Sequence, residues 1–325
     1  MSAFNGTTTQ GEVIAAFSHQ IKGRTFVITG AGKPSVGSQM AIAIAKESPA
    51  HIVIASRSSS KVDPVLEEIK AVNASVKTSF VQMELSDQAS VRQAATKILA
   101  VAPKIDVLIN SAGNMAIKEY TLDKQGIEFQ FSVNHVGHFL LTNLLIPALQ
   151  AAAAASKAGA RVVNLTSGAY LVSPVRFEDY NFSGGKTYQR WTAYGQAKTA
   201  QILFSYGLTK RLQTQGITSV AAHPGYNSDT ELAKHLTWDD LGEIEPTTKA
   251  NTGKDFVWED PRLKTFDQIA ATPLIAALDP ELPSKSPAYL QNSQVEEVDE
   301  IARGPDSVEK LWKLSEKLVG QEFNY

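Results

Sequence analysis

Six short runs of β-branched and apolar residues, separated by longer amphipathic stretches, constrain this chain more than any other feature. The runs are Thr25–Thr29, Ile52–Ala55, Thr78–Met83, Asp106–Asn110, Arg161–Leu165 and Thr218–Ala222. They show little polar alternation, as strands do when both of their faces are covered. Between them, Val62, Val65, Leu66, Ile69 and Val72 follow helical spacing, as do Val91, Ala94, Ala95, Ile98 and Leu99. The second set is preceded by Ser86-Asp87-Gln88-Ala89-Ser90, side chains suited to capping a helix start. This alternation predicts an α/β fold: one doubly wound parallel sheet with helices on both faces. Ligands of such sheets bind beyond the carboxyl ends of the strands, where strand order reverses.

The alternation stops after Gly225. Residues Tyr226–Arg262 hold Trp238, Trp258, Pro246 and Pro261 without periodicity, and a segment of that length suits a lid. Beyond it we read a helical stretch over 263–278 interrupted by Pro273, a short strand at 288–290 and a terminal amphipathic helix over 307–319. No linker divides the chain. Residues 1–325 are read as a single domain, with 1–22 as an N-terminal extension and 226–285 as a substrate lid region.

Composition excludes several functions. The 31 basic and 33 acidic residues leave a net charge of −2, against a global nucleic-acid-binding field. With no cysteine there is no disulfide, thiolate zinc site or cysteine nucleophile. His135 and His138 stand three apart without a third ligand at suitable spacing, so helix packing is expected and no metal is assigned. The start lacks a secretory pattern. The apolar stretch 139–155, broken by Thr142, Asn143, Pro147 and Gln150, falls short of a bilayer span. A cytoplasmic protein without a membrane partner is the expectation.

The first predicted strand runs into Thr29-Gly30-Ala31-Gly32-Lys33-Pro34-Ser35-Val36-Gly37 and then an Ala/Ile-rich helix. Glycine at such a turn lets the backbone approach a pyrophosphate, and the helix start supplies amide donors. The second strand ends at Arg57, where a planar guanidinium suits a ribose 2′-phosphate and an acidic residue would suit a free hydroxyl. Lys33 could add a second charge, while a solvated arginine at a strand end is the plainer alternative. Tyr194-Gly195-Gln196-Ala197-Lys198 places a phenol and an ammonium four apart, on one face of a helix. A neighbouring cation can draw a phenol toward its working range, though such a pair by itself is more often a surface feature.

The turn resembles the Thr-Gly-x-x-x-Gly-x-Gly signature of the short-chain dehydrogenases/reductases. It has one extra residue, with Pro34-Ser35 where the middle glycine stands, and in this it is similar to fungal members of the retinol-dehydrogenase-like branch. The resemblance implies a Rossmann fold and an NADP(H)-dependent oxidoreductase interconverting a carbonyl and an alcohol on a small, largely apolar molecule, in the reductive direction. It makes Ser167, Tyr194, Lys198 and Asn134 the catalytic residues, with Thr166 competing for the serine's part. Ser167 and Tyr194 would bind the carbonyl, and Tyr194 would give the proton. Lys198 would hold the nicotinamide ribose and lower the tyrosine pKa, and Asn134 would resupply the proton through water.

By the same likeness, cofactor contacts fall on Gly30, Gly32, Lys33, Ser35, Val36, Gly37, Arg57, Glu84, Leu85, Asn110, Ala112, Gly113, Tyr194, Lys198, Pro224, Gly225 and Thr230. Other readings keep the fold but assign isomerisation or cyclisation, or a cofactor-sensing role without turnover. The long helical stretches 128–155 and 192–212 could form a homodimer face or be covered within one chain. Trp238 and Trp258 could face the substrate or anchor the lid.

Overall fold

The computed structural model describes residues 4–325. Seven parallel strands and one antiparallel strand form a single sheet in the order β3-β2-β1-β4-β5-β6-β7-β8. They are β1 (Thr25–Thr29), β2 (His51–Ser56), β3 (Lys77–Gln82), β4 (Val107–Asn110), β5 (Ala160–Leu165), β6 (Ile217–Ala222), β7 (Ala288–Gln291) and β8 (Gln294–Glu296). The six predicted runs and the short strand at 288–290 each match an observed strand to within about a residue. Strands β1, β4, β5 and β6 are buried along their whole length, which explains their unbroken apolar character. Strand order reverses between β1 and β4, so a crevice opens there at their carboxyl ends. The antiparallel β8 was not expected from the sequence; all three of its residues are exposed.

Helices Val36–Ala45 and Ser59–Val72 follow β1 and β2, and Gln88–Val101 follows β3 with Asp87 accepting from the Ala89 and Ser90 amides. The apolar side chains split into two main clusters, one on each face of the sheet.

Three expectations about organisation need refinement. Within the expected extension 1–22, helix Gln10–Phe17 is part of the fold, burying Val13, Ile14 and Phe17 in the core. Helix Ala271–Leu278 also belongs to the core rather than to the lid, with every residue buried and Arg161 of β5 donating to Ala276 O at 2.7 Å. Pro273 does not break it, since the proline sits in the first turn, where no N–H is needed. The third concerns length. Phe129–Ala155 runs as one helix of 27 residues, long and apolar enough by those measures to cross a membrane, although 72% of its apolar window is buried inside the fold.

That helix carries a π turn at Ser132–Val136. Its Phe139, with Phe204 of helix Arg190–Leu212, packs against Trp312 of the C-terminal helix Pro305–Val319. This face of the two long helices is covered by the C-terminal helix.

Candidate active site

The site gathers where the sheet's carboxyl ends meet the segment after β6. Thr29, the last residue of β1, accepts through Oγ1 from the Ser111 and Ala112 amides at 2.9 and 3.1 Å, tying the first turn to the loop after β4. Gly30 adopts φ +68°, and a Cβ there would lie 2.5 Å from the Ala112 Cα, so only glycine fits between these turns. Ser35 caps the following helix, accepting from Ser38 N at 3.1 Å and donating to Gly30 O at 3.1 Å. Its hydroxyl thereby braces the turn from within. The amides of Val36 and Gly37 have no partner among the described residues and stand at the positive end of the helix. That arrangement suits a dinucleotide diphosphate.

Arg57 is exposed at the end of β2, with no carboxylate partner among the described residues. Lys33, expected to join it, is instead paired with Glu68 of helix Ser59–Val72, which faces the turn. Glu84 and Leu85, two of the expected cofactor contacts, have partners within the fold. Glu84 accepts from Ser86 N and Oγ at 3.1 and 2.9 Å, and Leu85 packs in the core against Gly137. Asn110 points inward, donating to Thr142 and Asn164 at 2.9 and 2.8 Å, so its side chain braces the sheet. Thr230 is buried and donates to Asn227 O at 3.2 Å, and the next residue, Glu231, reaches back to Pro34 O and Lys61. The segment after Gly225 therefore crosses above the phosphate turn.

Tyr194 and Lys198 lie on helix Arg190–Leu212, buried as a pair, with the ammonium 5.4 Å from the phenol ring centre. Ser167 follows β5, accepts from Ala169 N at 3.1 Å and lines the same cleft as the Tyr194 phenol. The same serine is both a cap and a lining residue of the cleft. Thr166 is excluded from that role, because it is buried and donates to Lys198 O at 2.8 Å. Asn134 sits in the π turn, a distortion common at functional sites, and its Oδ1 accepts from Asn114 N at 3.0 Å. A Cβ on Gly113 would meet that same oxygen at 2.6 Å and Lys198 Nζ at 4.0 Å, so Gly113, Asn134 and Lys198 converge.

Burial pushes the Tyr194 phenol well above its ordinary range, and the neighbouring Ser167 hydroxyl offsets this only in part. Lys198 is buried beside it. Its Nζ is turned to Leu165 O at 3.0 Å and Gln201 Oε1 at 2.8 Å, and burial lowers its own pKa to about 7. His135 and His138 are held apart by separate partners, Ser315 at 2.7 Å and Thr29 at 2.9 Å, and burial lowers them to about 3 and about 4.

Ser167 and Tyr194 line an apolar cleft with Met115, Trp191, Phe256 and Trp258. Trp258 is held by a bond from its Nε1 to Glu245 at 2.7 Å and by Arg262 stacked 3.6 Å above its ring. Trp238 is 62% exposed and is not among the lining residues, so the two tryptophans part ways. Trp191 donates to Asp240 O at 2.8 Å, and Arg190 pairs with Asp240 and Glu243, which fastens the lid to the start of the Tyr194 helix. Sequence reasoning missed Gln201, His223, Glu259 and Lys264. Only Gln201, three residues after Lys198, carried a spacing signal.

The fold and this constellation define a dinucleotide-binding α/β enzyme. The family model for short chain dehydrogenase matches residues 24–240. Mouse retinol dehydrogenase 12 is 36% identical over 306 residues, covering 94% of this chain and 89% of that protein. The oxidoreductase fscI of Fusarium equiseti is 35% identical over 244 residues, 68% of this chain and 94% of that protein. A crystal structure of an uncharacterized protein from Mycobacterium Paratuberculosis superposes with a TM-score of 0.67 at 28% identity, covering 95% of this chain and 99% of that one. The chain belongs to the short-chain dehydrogenase/reductase family, in its retinol-dehydrogenase-like branch, and is an oxidoreductase that uses a nicotinamide cofactor.

Proposed function

We propose that the protein is an NADP(H)-dependent reductase of small, largely apolar carbonyl compounds. The observation that carries this reading is a buried Tyr194 phenol that shares the lining of an aromatic cleft with Ser167. Burial favours the phenol's neutral form, which is the form an acid needs. In this reading Ser167 and Tyr194 grip the carbonyl oxygen, and Tyr194 gives its proton to that oxygen as negative charge develops there. A reduced nicotinamide dinucleotide held along the crevice supplies the hydride.

Lys198 as an ammonium has three N–H groups, of which two serve Leu165 O and Gln201 Oε1. The third remains for a ribose hydroxyl. Asn134 holds Asn114 in place through its side chain and stands close to Lys198, suited to a relay that restores the proton. The unpaired Arg57 favours the 2′-phosphorylated dinucleotide. The cleft's aromatic walls favour an apolar or aromatic carbonyl compound.

Tyr194→Phe tests the assignment. Turnover, followed at the nicotinamide absorbance across a carbonyl panel, should fall by about 10²–10⁴-fold, with NADPH binding nearly unchanged. A mutant that reduces carbonyls at the unaltered rate would refute the role.

A further inference from the structure

Charged groups that the reading above leaves unused gather on one wall of the same cleft. His223 follows β6 and precedes Pro224-Gly225, and its amide donates to Leu290 O of β7 at 2.8 Å. Its Nδ1 accepts from Gly225 N at 3.4 Å, which leaves the Nε2 proton to donate to Glu259 Oε1 at 3.0 Å. The other Glu259 oxygen lies 3.1 Å from Lys264 Nζ, and that ammonium donates to Asn292 Oδ1 at 2.6 Å. The Glu259 and Lys264 side chains are only 7% and 2% exposed. The lysine stem runs across Gly225, where a Cβ would come 2.4 Å from Lys264 Cδ. Lys264 N also donates to Tyr226 O at 2.9 Å, and Asn227 Nδ2 donates to Lys264 O at 2.8 Å.

A buried ion pair is a poor source of stability, since desolvation often exceeds the attraction gained. What it specifies is geometry. Here it joins the turn after β6, the far end of the lid and the loop between β7 and β8. His223 and Glu259 line the cleft beside Ser167 and Tyr194, and the imidazole lies against Gly168.

We propose that Glu259 is a positioning residue: clamped between His223 and Lys264, it locks lid residues 256–262 to the Pro224-Gly225 turn. The aromatic wall that seats a carbonyl compound is thereby held in register with the turn on the nicotinamide side. This rests on the reading of the cleft as the carbonyl site.

The test uses the full-length chain with Glu259→Gln, Lys264→Met and the double substitution. Hydrogen–deuterium exchange of the lid amides is measured beside steady-state kinetics and NADPH titration. Lys264→Met strands a buried carboxylate. It should speed exchange over 256–264 and lower carbonyl kcat/KM, each by at least about tenfold, mainly through KM, while NADPH affinity stays within about threefold. The double substitution removes the stranded charge and should recover part of both losses. If Lys264→Met does not fold, the isosteric Glu259→Gln carries the same comparison. Unchanged lid exchange in the single variants, or exchange rising equally in the sheet, would overturn the proposal. A lid that responds in a protein reducing no carbonyl supports the clamp and sinks the carbonyl reading instead.

Discussion

Gly113→Ala probes the site with a single methyl group. The new Cβ would stand 2.6 Å from Asn134 Oδ1 and 4.0 Å from Lys198 Nζ. The carboxamide cannot yield freely, because it is held to Asn114 N, O and Oδ1 at 3.0, 3.1 and 3.1 Å. If the backbone shifts to admit the methyl, overpacking costs about 1–3 kcal/mol. If the carboxamide swings away, the Asn114 amide loses its partner, at a similar cost of about 1–3 kcal/mol. At about 2 °C per kcal/mol for a chain of this size, both routes lower Tm by about 2–6 °C. Either also displaces Asn134 beside Lys198, and a misplacement of ~1 Å near the chemistry costs on the order of 10²-fold in rate. Differential scanning fluorimetry and kcat/KM for carbonyl reduction read the two effects. Gly242→Ala is the control: its Cβ meets nothing within 4 Å, so Tm should move by less than about 1 °C with turnover unchanged. A Gly113→Ala protein that matches this control in both assays would refute the argument.

Two further tests address cofactor choice and protonation. Arg57→Ala should weaken NADPH binding by about 10–150-fold, the loss of charge-assisted hydrogen bonds worth about 1.5–3 kcal/mol, and leave NADH binding unchanged. Equal weakening of both dinucleotides in fluorescence titration would count against a phosphate contact. Burial brings Lys198 to about 7, so the side chain is a cation below that pH and neutral above it. Reductive kcat/KM should therefore decline as pH rises through about 7, and Lys198→Arg, which stays charged, should remove that limb. Tyr194 contributes no limb there, since its pKa lies well above the ordinary phenol range. A profile that is flat across neutral pH would contradict the role of the cation.

The strands were legible because a β-branched run buried on both faces needs no knowledge of its neighbours to be recognised. Tyr194 and Lys198 were legible because helical pitch alone puts residues four apart on one face. The turn after β1 announced itself through glycines whose necessity is local, although it took the approach of Ala112 to show why Gly30 can be nothing else. Strand β8 escaped notice, because a three-residue exposed segment pairs only once β7 offers it an edge. Ala271–Leu278 fell inside the lid region drawn over 226–285, and only its burial against the sheet shows it to be core.

From spacing and composition alone follow the α/β class, the crevice at the strand ends and the phenol–ammonium pair, all consequences of backbone geometry within a few residues. Tertiary packing decided the rest. It paired Lys33 with Glu68, sent Trp258 into the cleft and left Trp238 outside, and brought Glu259 and Lys264 to His223 across a long loop. It also set the charge states of Tyr194 and Lys198. A side chain's pKa depends on how much water surrounds it, and that is known only when the chain has closed over it.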